Sequence, residues 1–213
     1  MVSAPRGRYA GRTATERRAE RRERFLAAGL ELYGTEGYAA ASTERLCAAA
    51  GLSTRQFYEE FTNRDEVLLE LYDRINDEAT AAVTETVRAA EERGAGIDEL
   101  IRDGLRAYVT TTASDLRRAQ IAFVAVVGVS QAIEKHRLER RARWVDLICE
   151  VADAAARRGQ VPHRDNRLVV TAFNGATNEL VHTWCLSEPK APLDDIVEAL
   201  ARLLIGALVL PDS

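Results

Sequence analysis

Cysteine, aromatic residues and long apolar runs are all scarce in this sequence, and each scarcity excludes a class of protein. The three cysteines lie far apart without a CxxC pair, which is typical of buried reduced thiols and not of a disulfide framework. The longest apolar run, residues 121–129, is far below the ~20 residues needed to span a membrane. The arginine-rich beginning has no apolar segment behind it, unlike a signal peptide. We therefore expect a cytoplasmic protein without a membrane segment.

The residue patterns that carry catalysis are also missing. His136, His163 and His182 have no second histidine four residues away, and no HExxH, GxSxG or phosphate-binding glycine loop occurs. We predict that the protein is not an enzyme and has no catalytic residues, metal site or cofactor.

The abundant residues favour helices, and the charge is unevenly distributed. Ala, Leu, Arg and Glu are frequent, whereas aromatic residues make up 6% of the chain. Residues 1–64 carry 11 arginines against 8 acidic residues, while residues 65–213 carry 18 basic against 25 acidic residues. Although the net charge is −4, a polyanionic partner is expected at the N-terminal end.

The stretch from Ser42 to Leu69 has the pattern of two short helices joined by a tight turn. Ser42 and Ser53 are good N-cap residues, one before each helix. Gly51 can adopt the left-handed conformation that ends the first helix. The apolar faces consist of Leu46, Ala49, Ala50, Phe57 and Phe61. This pattern predicts a helix-turn-helix, whose second helix enters the major groove of DNA.

Residues in and before this stretch carry a family resemblance. They are Phe25, Tyr33, Glu36-Gly37-Tyr38, Ser42, Leu46, Ala50-Gly51-Leu52-Ser53, Phe57-Tyr58, Phe61, Arg64 and Leu68. The region resembles the DNA-binding domain of tetracycline-repressor-type (TetR family) transcriptional regulators. The resemblance implies an all-α fold, with an N-terminal three-helix helix-turn-helix DNA-binding domain and a C-terminal helical bundle for ligand binding and dimerisation.

We divide the chain into three parts on this basis. Residues 1–16 are expected to be a disordered basic arm, residues 17–72 the DNA-binding domain, and residues 73–213 the ligand-binding and dimerisation domain. The arginines between residues 17 and 24 have two interpretations. They form either a solvated helix start with ion pairs or an arm along phosphates or in a minor groove.

Base reading is expected from Thr54, Arg55 and Gln56, in the first turn of the second helix. Arginine can donate two hydrogen bonds to guanine O6 and N7, and glutamine can pair with adenine N6 and N7. The resemblance implies contacts that position the protein on phosphates, by side chains and helix N-terminal amides, at Ser42, Thr43, Ser53, Tyr58 and Arg64.

The sequence departs from the family at Glu59-Glu60, where many members have an aromatic residue and a histidine. Because carboxylates near phosphates are repulsive, we expect one of the two to pair with an arginine or to accept from a cytosine amine. The pair is the only support for an alternative function, a helical ligand-binding or protein-interaction module that has lost DNA binding.

Only helices are predicted beyond residue 73. The basic section Lys135–Arg143 is interpreted as a solvated face. Bulky and polar residues within the apolar helices suggest ligand contacts, and the candidates are Tyr108, Phe123, Trp144, Asn174 and Asn178. The two asparagines lie one turn apart, and the alternative for them is exposure or satisfied amides at a subunit seam. The resemblance implies an apolar effector pocket in this domain.

The last two predicted helices, about Asp165–Leu186 and Leu193–Leu210 (helices 8 and 9), have more apolar surface than one bundle covers. The residues expected at the surface are Ala172, Ala176, Leu180, Leu200 and Leu204. We predict a homodimer through helices 8 and 9 that reads palindromic double-stranded operator DNA. The predicted function is a repressor released by a small, largely apolar effector, with the long helix from Arg64 as the only segment shared by both domains.

Overall fold

The computed structural model describes residues 13–209, and every regular element in that range is a helix. The helices are α1 (Ala14–Thr35), α2 (Thr43–Ala50), α3 (Thr54–Glu60), α4 (Arg64–Glu92), α5 (Ile97–Ala113), α6 (Leu116–Gln120), a π-helical turn (Ile121–Ala125), α7 (Gln131–Arg157), α8 (Arg167–Leu186) and α9 (Leu193–Val209). The predicted all-α class is confirmed.

An aromatic cluster holds the three N-terminal helices together. Phe25 of α1 is fully buried, and its ring meets the ring of Phe57 edge to face, with centroids 5.2 Å apart. Phe61, just after α3, lies 6.1 Å from Phe25 in the same geometry. Gly51 ends α2 with φ of 63°, the left-handed conformation that the sequence predicts. The guanidinium of Arg24 closes this turn by donating to the carbonyl of Ala50 at 2.6 and 3.0 Å.

Helix α4 connects this unit to the C-terminal helices. Its first turns pack so tightly on α1 that a β-carbon at Gly29 would come within 2.8 Å of Val67 and 3.0 Å of Leu71. The same helix continues without a break to Glu92 and packs on α5. The expected domain boundary after residue 72 therefore lies inside a continuous helix.

Two predicted boundaries differ from the structure. Helix α1 begins at Ala14 behind the N-cap Thr13, which forms a capping box with Glu16. The last residues of the predicted disordered arm, residues 14–16, are therefore helical, and residues 1–12 lie outside the described range. The sequence predicts one helix over about residues 115–128, whereas the structure has a five-residue α-helix followed by the π-helical turn there.

The basic section of α7 is a solvated face only in part, because Lys135 and Arg143 are exposed whereas other cations of the section contact α4. Arg140 is buried and donates to Asp77 of α4 at 2.6 Å, and His136 lies 2.7 Å from Asp73. These ion pairs connect α7 to α4. Sequence periodicity alone gave no indication of them, because the carboxylates come from another helix.

All three cysteines are free thiols in the structure. Cys47 and Cys185 are buried, and burial raises the pKa of the Cys185 thiol to about 11. Burial also raises the pKa of Cys47 and Cys149. All three therefore stay protonated near neutral pH, which makes them poor nucleophiles.

Candidate DNA-binding surface and effector cavity

The first turn of α3 presents an exposed arginine. Ser53 caps the helix, so Thr54 and Arg55 project from its N-terminal end, and both are exposed. The side chain of Arg55 is 89% exposed, and its Nε donates to Glu59 Oε1 at 3.2 Å. Within residues 13–209 the two terminal nitrogens of Arg55 make no hydrogen bond. These are the two donors that a guanine edge would accept.

Gln56 is placed differently from the sequence prediction. Its Oε1 accepts from the backbone N–H of Ser53 at 2.9 Å and from the Ser53 hydroxyl at 3.1 Å. This capping box uses the oxygen that bidentate pairing with adenine would need. While the cap is intact, Gln56 can only donate to a base.

The remaining predicted contacts lie around the same end of the unit. Tyr58 is 60% exposed and is supported edge-on by the Phe57 ring. Ser42 and Ser53 each accept a hydrogen bond from the backbone N–H three residues later, so one amide in the first turn of each helix is already occupied by the cap. Thr43 is half-buried at the start of α2. Contacts between these residues and DNA stay a prediction.

Arg64 has an internal role that the sequence did not indicate. Its guanidinium stacks on the ring of Tyr38, 4.2 Å from the centroid, and Nη1 donates to the carbonyls of Tyr38 and Ala41. The Tyr33 hydroxyl donates to the Arg64 carbonyl at 3.0 Å. Arg64 therefore holds the α1–α2 connection against α4. Its predicted phosphate contact stays untested and would have to leave Nη1 bound as it is.

Glu60 is turned away from the exposed face of α3. Its carboxylate is fully buried and accepts from Arg18 at 3.0 Å and from Arg21 at 2.7 and 3.1 Å. Arg22 donates to the Glu60 carbonyl at 2.6 Å. These α1 arginines bind α3, so the solvated helix start describes them only in part, since the side chain of Arg18 is 65% exposed, and contact with phosphates stays a prediction. One carboxylate of the pair does meet arginines, as the sequence predicted.

An apolar cavity of about 80 Å³ lies between the C-terminal helices. It is lined mainly by aliphatic and aromatic side chains, namely Val83 and Val87 of α4, Leu100, Ile101, Gly104, Leu105 and Tyr108 of α5, Trp144, Leu147, Ile148 and Val151 of α7, Phe173, Asn174 and Thr177 of α8, and Leu204 of α9. We call this space the apolar cavity. Most of these residues were missed at the sequence level, because a cavity wall and a packed core have the same apolar pattern.

A smaller space of about 10 Å³ adjoins it, and we call it the polar cavity. It is lined by Tyr72, Asn76, Tyr108, Thr112, Ala122, Phe123, Arg141, Trp144, Asn174 and Asn178. All five residues proposed from the sequence for ligand binding are brought together here. Tyr108, Trp144 and Asn174 also line the apolar cavity, and the rings of Tyr108 and Trp144 are 4.9 Å apart.

The amides around the polar cavity are largely satisfied by each other. Asn174 Oδ1 accepts from Arg141 Nε at 3.0 Å and from Asn178 Nδ2 at 3.3 Å. Asn76 Oδ1 accepts from Trp144 Nε1 at 3.2 Å. The asparagines therefore lie at the cavity and not at an exposed seam, and they position Arg141 and Trp144.

The helix-turn-helix geometry has counterparts among known proteins. A family model described as bacterial regulatory proteins of the tetR family matches residues 25–71. The HTH-type transcriptional regulator EthR of Mycobacterium tuberculosis is 27% identical over 216 residues, covering 98% of this chain and 94% of that protein. These two matches support a TetR-family transcriptional regulator.

Solved structures share the fold of this chain over most of its length. The fatty acid degradation regulator FadR of Bacillus halodurans superposes with a TM-score of 0.73 and 19% identity, over 87% of this chain and 95% of that one. FadR of Bacillus subtilis, solved with stearoyl-CoA, gives 0.71 and 16% identity, over 87% and 98%. Within residues 13–209 of the regulator, no helix is both long and apolar enough to span a bilayer.

Proposed function

We propose that this TetR-family regulator is a homodimeric repressor that reads a palindromic operator with α3 and is released by a small, largely apolar effector. In this proposal residues 17–72 bind DNA, and residues 73–213 bind the effector and form the dimer. The observation that carries it is the position of α4. One end packs on the DNA-binding unit through Val67 and Leu71, and the other lines the apolar cavity with Val83 and Val87.

A second connection between the domains runs through α6. Arg117 donates to Glu31 of α1 at 2.8 Å, and a β-carbon at Gly34 would lie 2.5 Å from the β-carbon of Arg117. Arg118 donates to Glu78 of α4 at 2.6 Å. The expectation that α4 is the only shared segment was therefore wrong. Because the π-helical turn after α6 places Phe123 at the polar cavity, a ligand there would also move α6 against α1.

The nature of the effector is supported by the cavity and by one relative. The walls of the apolar cavity carry no charged side chain. FadR of Bacillus subtilis was solved with an acyl-CoA, whose acyl chain is apolar. We infer that the effector of this chain contains an alkyl or acyl part that occupies the apolar cavity.

The dimer surface differs in part from the sequence prediction. Leu200 and Leu204 are buried inside the protomer, so their expected place at the surface was wrong. The small residues Ala172 and Ala176 of α8 are exposed, and Leu180 is half-buried. Further exposed apolar residues on the two helices are Leu168, Val169, Ala199 and Leu203. We propose that this face of α8 and α9 forms the four-helix seam.

The alternative function, a module without DNA binding, has lost its support. It depended on two carboxylates facing DNA, yet Glu60 is buried against Arg18 and Arg21. Glu59 remains at the surface but is paired with Arg55. The exposed face of α3 therefore carries one neutralised carboxylate and no unpaired one.

The proposed function predicts reciprocal binding of operator and effector. Operator DNA is first selected from random duplexes with the full chain, and fatty acids and acyl-CoA thioesters of increasing length are then tested for release. A compound that weakens operator binding by a given factor should itself bind more weakly by the same factor when operator is present. Calorimetric titration with and without operator measures this factor. Equal affinity in the two titrations would contradict effector control, and failure to select any duplex would contradict DNA binding.

The proposed seam predicts that Leu203→Glu dissociates the dimer. A carboxylate buried between two copies without a partner is strongly unfavourable, and we expect the dimer dissociation constant to rise by at least about 10-fold. Analytical ultracentrifugation measures it, and operator affinity should fall in parallel. Leu138→Glu is the matched control, because Leu138 is 52% exposed on α7 against 47% for Leu203 on α9. A dimer that tolerates Leu203→Glu would place the seam elsewhere.

A further inference from the structure

Arg141 is a half-buried cation without an anionic partner in the described part of the chain. Its one hydrogen bond there is donated by Nε to the neutral amide oxygen of Asn174. No carboxylate oxygen among residues 13–209 lies within 4.0 Å of its guanidinium. Its neighbours on α7 differ, since Arg137 and Arg140 each donate to a carboxylate at 2.6 Å. Arg143 is exposed to water, so Arg141 is the half-buried cation of this section whose charge no described residue compensates.

The surroundings of Arg141 make this arrangement costly without a ligand. Burial, and next the positive charge of Arg137, lower the pKa of the Arg141 guanidinium. The nearby carboxylate of Glu134 is already bound to Arg137 through two hydrogen bonds. An arginine remains charged even so, and a charge taken out of water without a partner costs free energy. A bound anion would remove that cost.

Two phenol hydroxyls share the polar cavity with Arg141. Tyr72 and Tyr108 both line this cavity, and their hydroxyls donate no hydrogen bond to any described residue. Burial raises the pKa of Tyr72 to about 12 and also raises the pKa of Tyr108. Both therefore stay neutral donors near physiological pH. The polar cavity thus combines one uncompensated cation with two unused hydroxyl donors.

The two cavities are arranged for a molecule with a polar head and an apolar chain. They share a wall formed by Tyr108, Trp144 and Asn174. The polar cavity, at about 10 Å³, has room for a single small polar atom. The apolar cavity, at about 80 Å³, is about half the ~150 Å³ of a cavity that binds benzene, so it has room for part of a slim alkyl chain and not for a bulky ring.

Building on the proposed function, we propose that the effector is an aliphatic carboxylic acid. One oxygen of its carboxylate enters the polar cavity, where it accepts from the guanidinium of Arg141 and from the Tyr72 and Tyr108 hydroxyls, while its alkyl chain passes Trp144 into the apolar cavity. A charge-assisted hydrogen bond from a guanidinium to a carboxylate oxygen is about twice as strong as one to the neutral carbonyl of an ester or a thioester. The free acid, and not its thioester, is therefore the form that this chain binds.

The test compares octanoate, methyl octanoate and octanoyl-CoA by calorimetric titration of the full chain. The wild type should bind octanoate the most tightly of the three. Arg141→Met keeps an unbranched apolar stem and removes the charged guanidinium, and we expect it to weaken octanoate binding by about 10- to 100-fold. The affinity of the same variant for methyl octanoate should differ from that of the wild type by less than about threefold. Tyr108→Phe should lower the affinity for octanoate by a smaller factor than Arg141→Met does.

Two controls separate binding from a structural role. Arg143→Met removes an exposed charge from the same helix and should leave octanoate affinity unchanged. Without ligand, Arg141→Met should unfold at the same temperature as the wild type or a higher one, because it removes an uncompensated half-buried charge. A purely structural arginine would instead lower that temperature.

Three results would overturn the carboxylate site. They are no binding of octanoate, tighter binding of octanoyl-CoA or methyl octanoate than of octanoate, and unchanged octanoate affinity in Arg141→Met. Operator release by methyl octanoate would contradict the carboxylate site but would still support a ligand-released repressor. If the wild type binds octanoate through Arg141 but selects no operator, the carboxylate site is supported and the repressor function is contradicted.

Discussion

Arg55→Ala is expected to weaken operator binding by about 1–3 kcal/mol per half-site. A dimer that engages two half-sites loses both contacts, so its affinity should fall roughly 30- to 10⁴-fold. The reason is geometric, because Arg55 extends from the first turn of α3 with its two terminal nitrogens unused. Fluorescence anisotropy on the selected operator, and on operators changed at one base pair at a time, measures both the affinity and the preference.

The loss at Arg55 should be specific to one base pair in each half-site. The variant should discriminate less at that position and equally well elsewhere, since phosphate contacts carry no sequence information. Arg202→Ala is the matched control, because Arg202 is also exposed and its Nε also donates to a glutamate four residues away, Glu198, at 2.9 Å. An unchanged preference in Arg55→Ala would place base reading elsewhere.

The sequence predicted the helix-turn-helix well because its determinants are local. Ser42, Ser53 and Asn63 each cap the helix that follows them, and Gly51 takes the positive φ that its position requires. Such signals depend on residues within one turn of each other, so they can be read without knowing the fold.

Roles that depend on contacts between distant helices could not be predicted in this way. Arg64 binds carbonyls more than twenty residues earlier, and Leu200 and Leu204 were assigned to the surface although they are buried. An apolar stripe shows that a face is covered, but not whether the same protomer or a second copy covers it. An apolar side chain is equally compatible with burial inside the protomer and with burial against a second copy.

The candidate cavity shows an intermediate case. Asn174 and Asn178 attracted attention because polar amides are costly in an apolar helix, and they do lie at the polar cavity. Arg141 was hidden in a basic section that resembles a solvated face. The local sequence could only narrow the choice: neither Arg140 nor Arg141 has a carboxylate three or four residues away, and only the fold shows that Arg140 meets Asp77 of α4.

The placement of Glu60 leads to a prediction on stability. Glu60→Gln keeps the shape of the side chain and removes its charge, which leaves Arg18 and Arg21 with a weaker acceptor. Breaking a buried ion pair by removing one partner costs about 3–5 kcal/mol, and we expect a value near the lower limit. The side chain of Arg18 is 65% exposed and can be hydrated by water once it is released, whereas that of Arg21 is only 24% exposed.

Glu59→Gln is the matched control for Glu60→Gln, because Glu59 is the adjacent residue and its side chain is 44% exposed. Its pair with Arg55 spans one helical turn and should contribute about 0.3–0.5 kcal/mol. Urea denaturation of the two variants measures the difference. Below its unfolding transition, Glu60→Gln should bind operator with nearly wild-type affinity, since Glu60 does not face DNA. The opposite pattern, tighter operator binding without loss of stability, would mean that this carboxylate faces the phosphates.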